Sequence, residues 1–349
     1  MKEMKKSVVN GLKKDLRTDD KLEKLVIDYA IRRTTGSRKD LDGVYYSKNG
    51  RHLLMASKSL SDGYAVCEGV REIDADAFWG CAYLEKLTLP DGIENIGHEA
   101  FGKCISLREI NIPKSVKKIG VNPFIGIHNI HIISLSEAVV CNGKAVFTDH
   151  GKTLVSFVSD EKEYIVPEGV ECIGEKAFSG KRQLQRVVLP QSLKVIDDEA
   201  FFDCDRLTSI VIPEKTEFIG DCAFGDCLAL RSVCFNGIPK KMKRTMFAGC
   251  EDIRNITIPK DSTGKFKKLT RDFDDRVVEK ATAVSPQKPE PTENSKSSKL
   301  SEKSEKSKKS EKSELSEKSK LSELSKLSKK SKKSEKSQNK NIPPIYRKK

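Results

Sequence analysis

The sequence predicts a repeat solenoid built from units of about 23 residues, each with one short strand and several turns. Phenylalanine recurs every 23 residues in two series, at positions 78, 101 and 124 and at 178, 201, 224 and 247. Cysteine follows three residues later in five of these seven copies, and leucine or isoleucine follows six residues later in all seven. Self-similarity at a fixed period of this length is the sequence signature of a solenoid.

Each unit contains an apolar–x–apolar step, as in Leu87-Thr88-Leu89, that is typical of a strand with one buried face. A proline after this step ends the hydrogen-bonded strand in most copies. The segment around the Ala-Phe pair has room for about one helical turn. An isoleucine precedes the next phenylalanine, and the glycine after it is expected to take a positive φ in four copies: Gly97, Gly120, Gly174 and Gly220. No unit buries its apolar side alone, so equivalent phenylalanine, cysteine, leucine and isoleucine residues are expected to stack in ladders.

A longer repeat, with a period of 100 residues, is superimposed on the 23-residue repeat. Six residues have an identical counterpart 100 positions later: Gly43, Tyr64, Gly69, Phe78, Phe101 and Phe124. Residues 42–57 resemble residues 142–157, and both segments are typical of a hairpin with an Asn-Gly or His-Gly turn. We therefore expect two arrays that are continuous in space, residues 42–141 and residues 142–264, each opened by a hairpin.

The repeat resembles a known family. The segment IGHEAFGKCISLREINIPKSVKKIG, residues 96–120, is similar to the leucine-rich repeats of the BspA-like surface-antigen type. Seven copies between about residues 43 and 260 carry the resemblance. It implies a leucine-rich repeat solenoid and a non-enzymatic binding protein, because members of the family are repetitive binding proteins, often at bacterial or protist cell surfaces.

Two helical caps are predicted at the ends of the solenoid. Residues 1–41 contain apolar residues at helical spacing, such as Val8, Val9, Leu12 and Leu16, and predict a helical N-terminal cap. A helix that binds a membrane surface or a partner is the alternative. Residues 265–284 predict a C-terminal cap helix that uses four apolar residues: Phe266, Leu269, Phe273 and Val277.

The last segment, residues 285–349, differs in composition from the rest. It contains 20 Lys and Arg against 9 Asp and Glu, and a serine stands at every third position from Ser298 to Ser337. This composition predicts a disordered tail, since serine is unfavourable inside helices and the segment has few apolar residues. Three interpretations remain open: a solvated spacer, an electrostatic contact with nucleic acid or another anionic surface, and a phosphorylation platform.

The composition also restricts the compartment. No apolar run approaches the roughly 18 residues that a membrane span needs, and charges interrupt the first 40 residues, so no signal peptide is predicted. We expect a cytoplasmic protein, with display on the cell surface or secretion by a non-classical route as the alternative. Five of the ten cysteines hold the repeat position and none forms a CxxC motif, which predicts reduced, buried, small apolar side chains rather than disulfides or zinc ligands.

No catalytic site, cofactor site or metal site is predicted. His128 and His131 are three residues apart, but the sequence places no Cys, Asp or Glu partner beside them, so a structural role is favoured. The cysteines are explained by their repeat position rather than by pairing with a base. The chain is therefore expected not to be an enzyme.

The outward positions of the strands are the candidate partner-binding residues. They are Lys86, Thr88, Glu109, Asn111, Arg186, Val188, Ser209, Val211 and Cys234, with Ile132 and Ser134 in the third copy. The strip Val188–Val211–Cys234 is apolar for an open sheet face, which is typical of a binding surface, although β-branched residues also favour strands in general. Trp79 either anchors a partner or packs against the N-terminal cap, and the cap is favoured.

These observations predict a non-enzymatic scaffold that binds a protein partner through its sheet face. The alternatives are a surface or secreted adhesin of the BspA-like type and a nucleic-acid-associated protein that acts through its basic tail. No oligomeric state is predicted.

Overall fold

The repeat positions build a β-solenoid of about ten turns with little helix. The computed structural model describes residues 36–270 and 276–280, which all belong to the first of two compact units, residues 1–283. The predicted helices within residues 1–35 and the predicted tail lie outside the described residues. Within residues 36–41, which were assigned to the helical cap, the chain forms a strand at Arg38–Lys39 instead.

The described residues form 23 strands, one α-helix and two short 3-10 helices. The strands are β1 (Arg38–Lys39), β2 (Tyr45–Tyr46), β3 (His52–Met55), β4 (Ser61–Ala65), β5 (Glu72–Ile73), β6 (Tyr83–Thr88), β7 (Asn95–Ile96), β8 (Glu109–Ile112), β9 (Lys118–Ile119), β10 (His131–Ser134), β11 (Val140–Cys141), β12 (Ala145–Thr148), β13 (Thr153–Phe157), β14 (Glu163–Ile165), β15 (Cys172–Ile173), β16 (Arg186–Val188), β17 (Val195–Ile196), β18 (Ser209–Ile212), β19 (Phe218–Ile219), β20 (Ser232–Phe235), β21 (Lys241–Met242), β22 (Asn255–Ile258) and β23 (Val277–Glu279). The α-helix is α1 (Thr263–Leu269), and the 3-10 helices are Asp149–Gly151 and Arg244–Phe247.

Each array carries two sheets, one on either side of its core. The face sheet holds the longer strands, in the order β10-β8-β6-β4 in the first array and β14-β16-β18-β20-β22-β23 in the second. The back sheet holds mainly two-residue strands, in the order β1-β2-β3-β5-β7-β9 and β11-β12-β13-β15-β17-β19-β21. Successive turns pair in parallel because each turn adds one strand to each sheet. The antiparallel pairs occur at the start of each array, where β2–β3 and β12–β13 form the two expected hairpins.

The recurrent phenylalanines stack along the axis of the solenoid, as predicted. Ring centroids lie 5.8 Å apart for Phe78–Phe101 and 5.4 Å apart for Phe101–Phe124. In the second array the distances are 4.7 Å for Phe178–Phe201 and 5.2 Å for Phe201–Phe224. All six of these side chains are fully buried. The spacing is close to the separation of neighbouring strands, about 4.8 Å, so one ring fills the interior of each turn.

The repeat cysteines are buried, and all ten cysteines are free thiols. They do more than fill space. The Cys104 Sγ donates to the Phe78 carbonyl oxygen at 3.1 Å, and the same bond, from a cysteine to the phenylalanine 26 residues earlier, recurs at three further positions: Cys204, Cys227 and Cys250. The neighbouring Cys81 thiol and burial raise the pKa of Cys104, which keeps the thiol protonated as a donor. The cysteine therefore joins each turn to the one before it.

The expectation of a positive φ at the glycine after the isoleucine was wrong. None of these four glycines has a positive φ. A Cβ on Gly97 would lie 2.4 Å from the backbone nitrogen of Ala75, and a Cβ on Gly120 would lie 2.5 Å from that of His98. Glycine is required at these two positions because the backbones of successive turns approach too closely for any side chain.

The left-handed residues stand instead two positions before the phenylalanine. Six non-glycine residues have a positive φ there: Asp76, Glu99, Asn122, Lys176, Glu199 and Cys222. This segment forms tight turns rather than an α-helical turn, with a 3-10 helix at Arg244–Phe247 in the last copy. Its backbone groups bond between turns, since the Phe101 amide donates to the Pro123 carbonyl at 2.9 Å and the Phe201 amide donates to the Ala223 carbonyl at 2.7 Å. A helix would have used the same groups internally.

The two arrays meet at a polar seam, formed by the last turn of the first array and the hairpin β12–β13. The residues of the hairpin alternate between two separate apolar cores, with Val146 and Val155 in the first and Leu154 and Phe157 in the second. Between the cores, the Asn122 Nδ2 donates to the Lys176 carbonyl at 2.6 Å. The Ser156 Oγ donates to the Asn122 Oδ1.

The prediction of a C-terminal cap helix over residues 265–284 was wrong in part. Helix α1 ends at Leu269, and Val277 belongs to strand β23, which pairs in parallel with β22. Two adjacent β-branched residues, Val277 and Val278, favour a strand that continues the face sheet by one position. Phe266 is fully buried against Phe235, so α1 covers this end of the second core. The boundaries of the predicted domains remain predictions.

Replacing one ring of the ladder is expected to destabilise the solenoid strongly. Phe101→Ala and Phe201→Ala should each lower the free energy of unfolding by about 3–5 kcal/mol, because each removes a fully buried ring and leaves a cavity. Urea denaturation followed by circular dichroism measures the change. Tyr83→Ala, at a side chain that is 69% exposed, is the control and should change stability by less than about 0.5 kcal/mol. Equal stability of the two phenylalanine variants and the control would contradict the ladder.

Candidate binding surface

The face sheet of the second array presents a continuous column of mostly apolar residues to solvent. Alternate residues of a strand point to opposite sides, and parallel pairing places equivalent residues side by side. The register pairs Ile165 with Val188, Cys234 with both Val211 and Thr257, and Thr257 with Val278. Arg186 pairs with Ser209, so Val188 lies beside Val211 two residues further on. We define the apolar column as these six residues: Ile165, Val188, Val211, Cys234, Thr257 and Val278.

Four members of the apolar column are exposed aliphatic side chains. Their exposed fractions are 72% for Ile165, 40% for Val188, 50% for Val211 and 56% for Val278. Cys234 and Thr257 are half-buried. The alternate residues of the same strands, such as Val187, Ile210 and Val233, are buried in the core. Six strands at a spacing of about 4.8 Å make the column about 24 Å long.

A polar column runs beside it on the same strands. It consists of Glu163, Arg186, Ser209, Ser232 and Asn255. Glu163 pairs in register with Arg186, so both charges stand at the same end of the column. An apolar strip with a polar margin is the usual anatomy of a protein–protein interface.

The predicted residues of the first array lie on the equivalent face, and three of them bond to residues of their own array. Lys86 and Glu109 are register partners and form an ion pair at 3.3 Å. The Asn111 Nδ2 donates to the Leu89 carbonyl at 3.2 Å, and its Oδ1 accepts from the Leu89 amide at 3.3 Å. Thr88 is exposed beside Asn111. This part of the face is polar, and three of its four predicted side chains already bond within the array.

The structure corrects the register of the third copy. Ile132 and Ser134 were expected to face outward, but Ile132 pairs with the buried Ile110, and His131 and Ile133 are the exposed residues. The copy is one residue shorter between Ile130 and the strand, and a shift of one residue reverses the side to which every side chain points.

Trp79 is half-buried and contacts the following turn. A Cβ on Gly102 would lie 2.2 Å from the Trp79 Cε3, so the indole lies directly on that glycine. The Lys103 Nζ lies 5.5 Å from the centroid of the ring. Packing within the array therefore accounts for Trp79. The predicted contact with the N-terminal cap involves residues outside those that the structure describes.

A cleft of about 220 Å³ lies at the seam and contains one buried lysine. Lys181 occupies the position that cysteine holds in most copies, and only 4% of it is exposed. Its Nζ donates to the Ile127 carbonyl across the seam at 2.8 Å and lies 5.8 Å from the centroid of the Phe157 ring. His128 and Asp160 line the same cleft and contact each other. The long lysine side chain reaches the Ile127 carbonyl of the other array, which the shorter side chain of a cysteine at this position would not reach.

Burial lowers the pKa of the Lys181 amine from 10.5 to about 8, although the nearby Asp160 carboxylate opposes the change. The charged amine is disfavoured because it loses hydration inside the protein. The sequence showed Lys181 as an exception to the cysteine pattern, but only the structure shows that it bridges the two arrays.

The described residues contain no helix that is both long and apolar enough to traverse a lipid bilayer.

Comparison with known proteins identifies the repeat. The model of the BspA type leucine rich repeat region matches residues 71–161 and 156–269, with six copies. No curated protein matches the sequence significantly.

Three solved structures are similar to the chain, each at a TM-score below 0.5. A leucine-rich repeat protein from Eubacterium ventriosum is 21% identical, with a TM-score of 0.48 over 56% of this chain and 60% of that protein. The pneumococcal vaccine antigen PcpA is 20% identical, with a TM-score of 0.48 over 63% of this chain and 66% of the antigen. A leucine rich cell surface protein from Faecalibacterium prausnitzii is 19% identical, with a TM-score of 0.41 over 63% of this chain and 78% of that protein. The chain thus spans less than two thirds of the length of the first two.

The buried amine predicts an unusual dependence of stability on pH. Between about pH 8 and pH 10.5 the unfolded chain binds more protons than the folded chain at Lys181, so stability rises with pH in this window. The parent should therefore gain about 3 kcal/mol relative to Lys181→Met as the pH rises through it. Urea denaturation of both proteins under reducing conditions measures the difference. Lys114→Met, at an exposed lysine, should show no such trend, and a constant difference between parent and Lys181→Met would contradict the assignment.

Proposed function

Because the chain belongs to the BspA type leucine rich repeat family, we propose that it is a non-enzymatic scaffold that binds a protein partner through the apolar column. The observation that carries the proposal is the row of aliphatic side chains on the open face of the second array, with Ile165 72% and Val211 50% exposed. Apolar side chains aligned in one direction on an exposed surface are typical of binding sites.

The repeat explains why the column is available. The inward residues of each strand supply the core, so the outward residues are free to vary without loss of the fold. In the first array the positions equivalent to the column carry Thr88 and Asn111, whereas in the second array they carry Val188 and Val211. The strands thus do not require valine at this position, which supports a role in recognition.

The chemistry of the column indicates the kind of partner. A complementary surface would present aliphatic or aromatic side chains along about 24 Å, the length of six strands. Glu163 and Arg186 flank one end and would orient the partner through charge, since polar margins contribute more to specificity than to affinity. Ser209 and the polar residues of the first array would extend the contact. The stacked turns hold the surface in place before binding, which lowers the entropic cost of association.

The other functions have less support. An adhesin of the BspA-like type would use the same face and would differ in its location rather than in its chemistry. A nucleic-acid-binding role rests on the basic tail, which lies outside the described residues, and the comparisons give it no support. The comparisons indicate no catalytic family.

We retain the cytoplasmic location as a prediction, with the cell surface as the alternative. Fractionation of the producing cells distinguishes the two, because a surface adhesin would be found in the surface or extracellular fraction.

The apolar column is expected to account for partner capture. The double variant Val188→Asp/Val211→Asp places two charges in the column and should abolish specific capture, since burying an unpaired carboxylate is costly. The measurement is affinity capture of cytoplasmic and surface extracts by the full-length chain, followed by mass spectrometry. The control is Leu228→Asp, at an exposed leucine outside the column (58%), which should capture the same protein as the parent.

Two outcomes would contradict the proposal. Equal capture by the double variant and the control would exclude the column as the binding surface. Loss of capture after nuclease treatment of the extract would indicate nucleic acid instead of a protein partner. Circular dichroism of each variant confirms that the fold is unchanged.

A further inference from the structure

We propose that His52, Glu72 and Asp74 form a binding site for a divalent cation of the zinc type on the back sheet of the first array. The three residues lie on the hairpin strand β3, on β5 and immediately after β5. Their ligand atoms, one imidazole nitrogen and two carboxylate oxygens, all lie within 4.8 Å of one another. The site is independent of the proposed binding face.

The pairing of the strands brings these residues together. His52 and Glu72 are register partners in the parallel pair β3–β5, so their side chains stand next to each other. Asp74 lies two residues after Glu72 and therefore projects from the same side of the chain. His52 and Glu72 are 20 positions apart in the sequence, so no local motif signals the cluster.

The distances fit a metal site as well as the long hydrogen bond that joins His52 to Asp74. The His52 Nδ1 lies 3.5 Å from the Glu72 Oε2 and 3.4 Å from the Asp74 Oδ1. Hydrogen bonds from nitrogen to oxygen are normally about 2.7–3.2 Å long. A tetrahedral zinc ion with bonds of about 2.0–2.2 Å holds its ligand atoms about 3.3–3.6 Å apart. Small side-chain rotations would bring the three atoms onto one ion.

Charge and burial also suit a cation. The Asp74 side chain is only 9% exposed, and a carboxylate in such a position needs compensation. Two carboxylates converge here with one imidazole, a set of two oxygens and one nitrogen that zinc accepts as ligands. The side chains of His52 and Glu72 are 38% and 28% exposed, so a fourth position would be open to water.

The second array provides an internal comparison. Its strands β13 and β15 pair in the same way, with Leu154 beside Ile173 as Leu53 lies beside Ile73. At the three ligand positions, however, it carries Thr153, Cys172 and Gly174. The fold requires the apolar pair but not the His, Glu and Asp side chains, which indicates a separate role for them in the first array.

The test is titration of the full-length chain with ZnCl₂ and with CoCl₂, after removal of metals by a chelator and in a reductant without thiols. Calorimetry should show one strong site per chain, and the melting temperature should rise because the ion joins β3 to β5. Cobalt should give visible absorption bands without the near-ultraviolet charge-transfer band of a thiolate ligand. This readout separates the proposed site from adventitious binding to the ten cysteines.

His52→Ala and Asp74→Asn should each weaken zinc binding by at least about tenfold, the loss that even the outer partners of metal ligands produce. His150→Ala is the matched control, because His150 is an exposed histidine in the equivalent hairpin of the second array, and it should bind like the parent. Absence of a strong site, a thiolate band with cobalt, or unchanged affinity in both ligand variants would each overturn the proposal and leave an ordinary ion pair.

Discussion

The structure depends on the bonding of each turn to the next one. Within each array the phenylalanine rings stack on one another, and in five copies the phenylalanine amide donates to the following turn, as Phe201 does to Ala223 at 2.7 Å. The Phe201 carbonyl accepts the thiol of a cysteine in that same turn. One segment therefore supplies both the apolar contact and the backbone hydrogen bonds, and neither is available to an isolated unit. The close-packed glycines, the parallel sheets and the aligned columns on the face sheet all follow from this stacking.

The seam shows what happens where the stacking is interrupted. The ring ladder ends at Phe124 and resumes at Phe157, and three buried polar side chains lie at this break: Asn122, Ser156 and Lys181. Asn122, Ser156 and Lys181 satisfy backbone and side-chain groups that two apolar turns would have left without partners. Loss of hydration on burial lowers the pKa of the Lys181 amine. Its hydrogen bond to the Ile127 carbonyl nevertheless joins the second array to the first.

The period of 23 residues was enough to predict the solenoid, the phenylalanine ladder and the outward strand positions, because burial alternates along a strand and repeats from turn to turn. The period mispredicted the register at Ile132, because that copy is one residue shorter. It also mispredicted the role of Gly97, which is glycine because the backbone of the neighbouring turn lies too close for a side chain. Ile165 and Val278 extend the apolar column at both ends, and the repeat pattern did not single them out because they lie in strands outside the seven phenylalanine copies. The His52 cluster depends on pairing between distant segments, which periodicity does not reveal.

The stacking can be tested through the reactivity of the cysteines. Native, reduced protein is treated with iodoacetamide, and labelling at each cysteine is followed by mass spectrometry over time. We expect rapid labelling of the exposed Cys67 and protection of the five ladder cysteines until the protein is unfolded in urea: Cys81, Cys104, Cys204, Cys227 and Cys250. Labelling of the ladder cysteines at the rate of Cys67 in the native protein would contradict the stacked core.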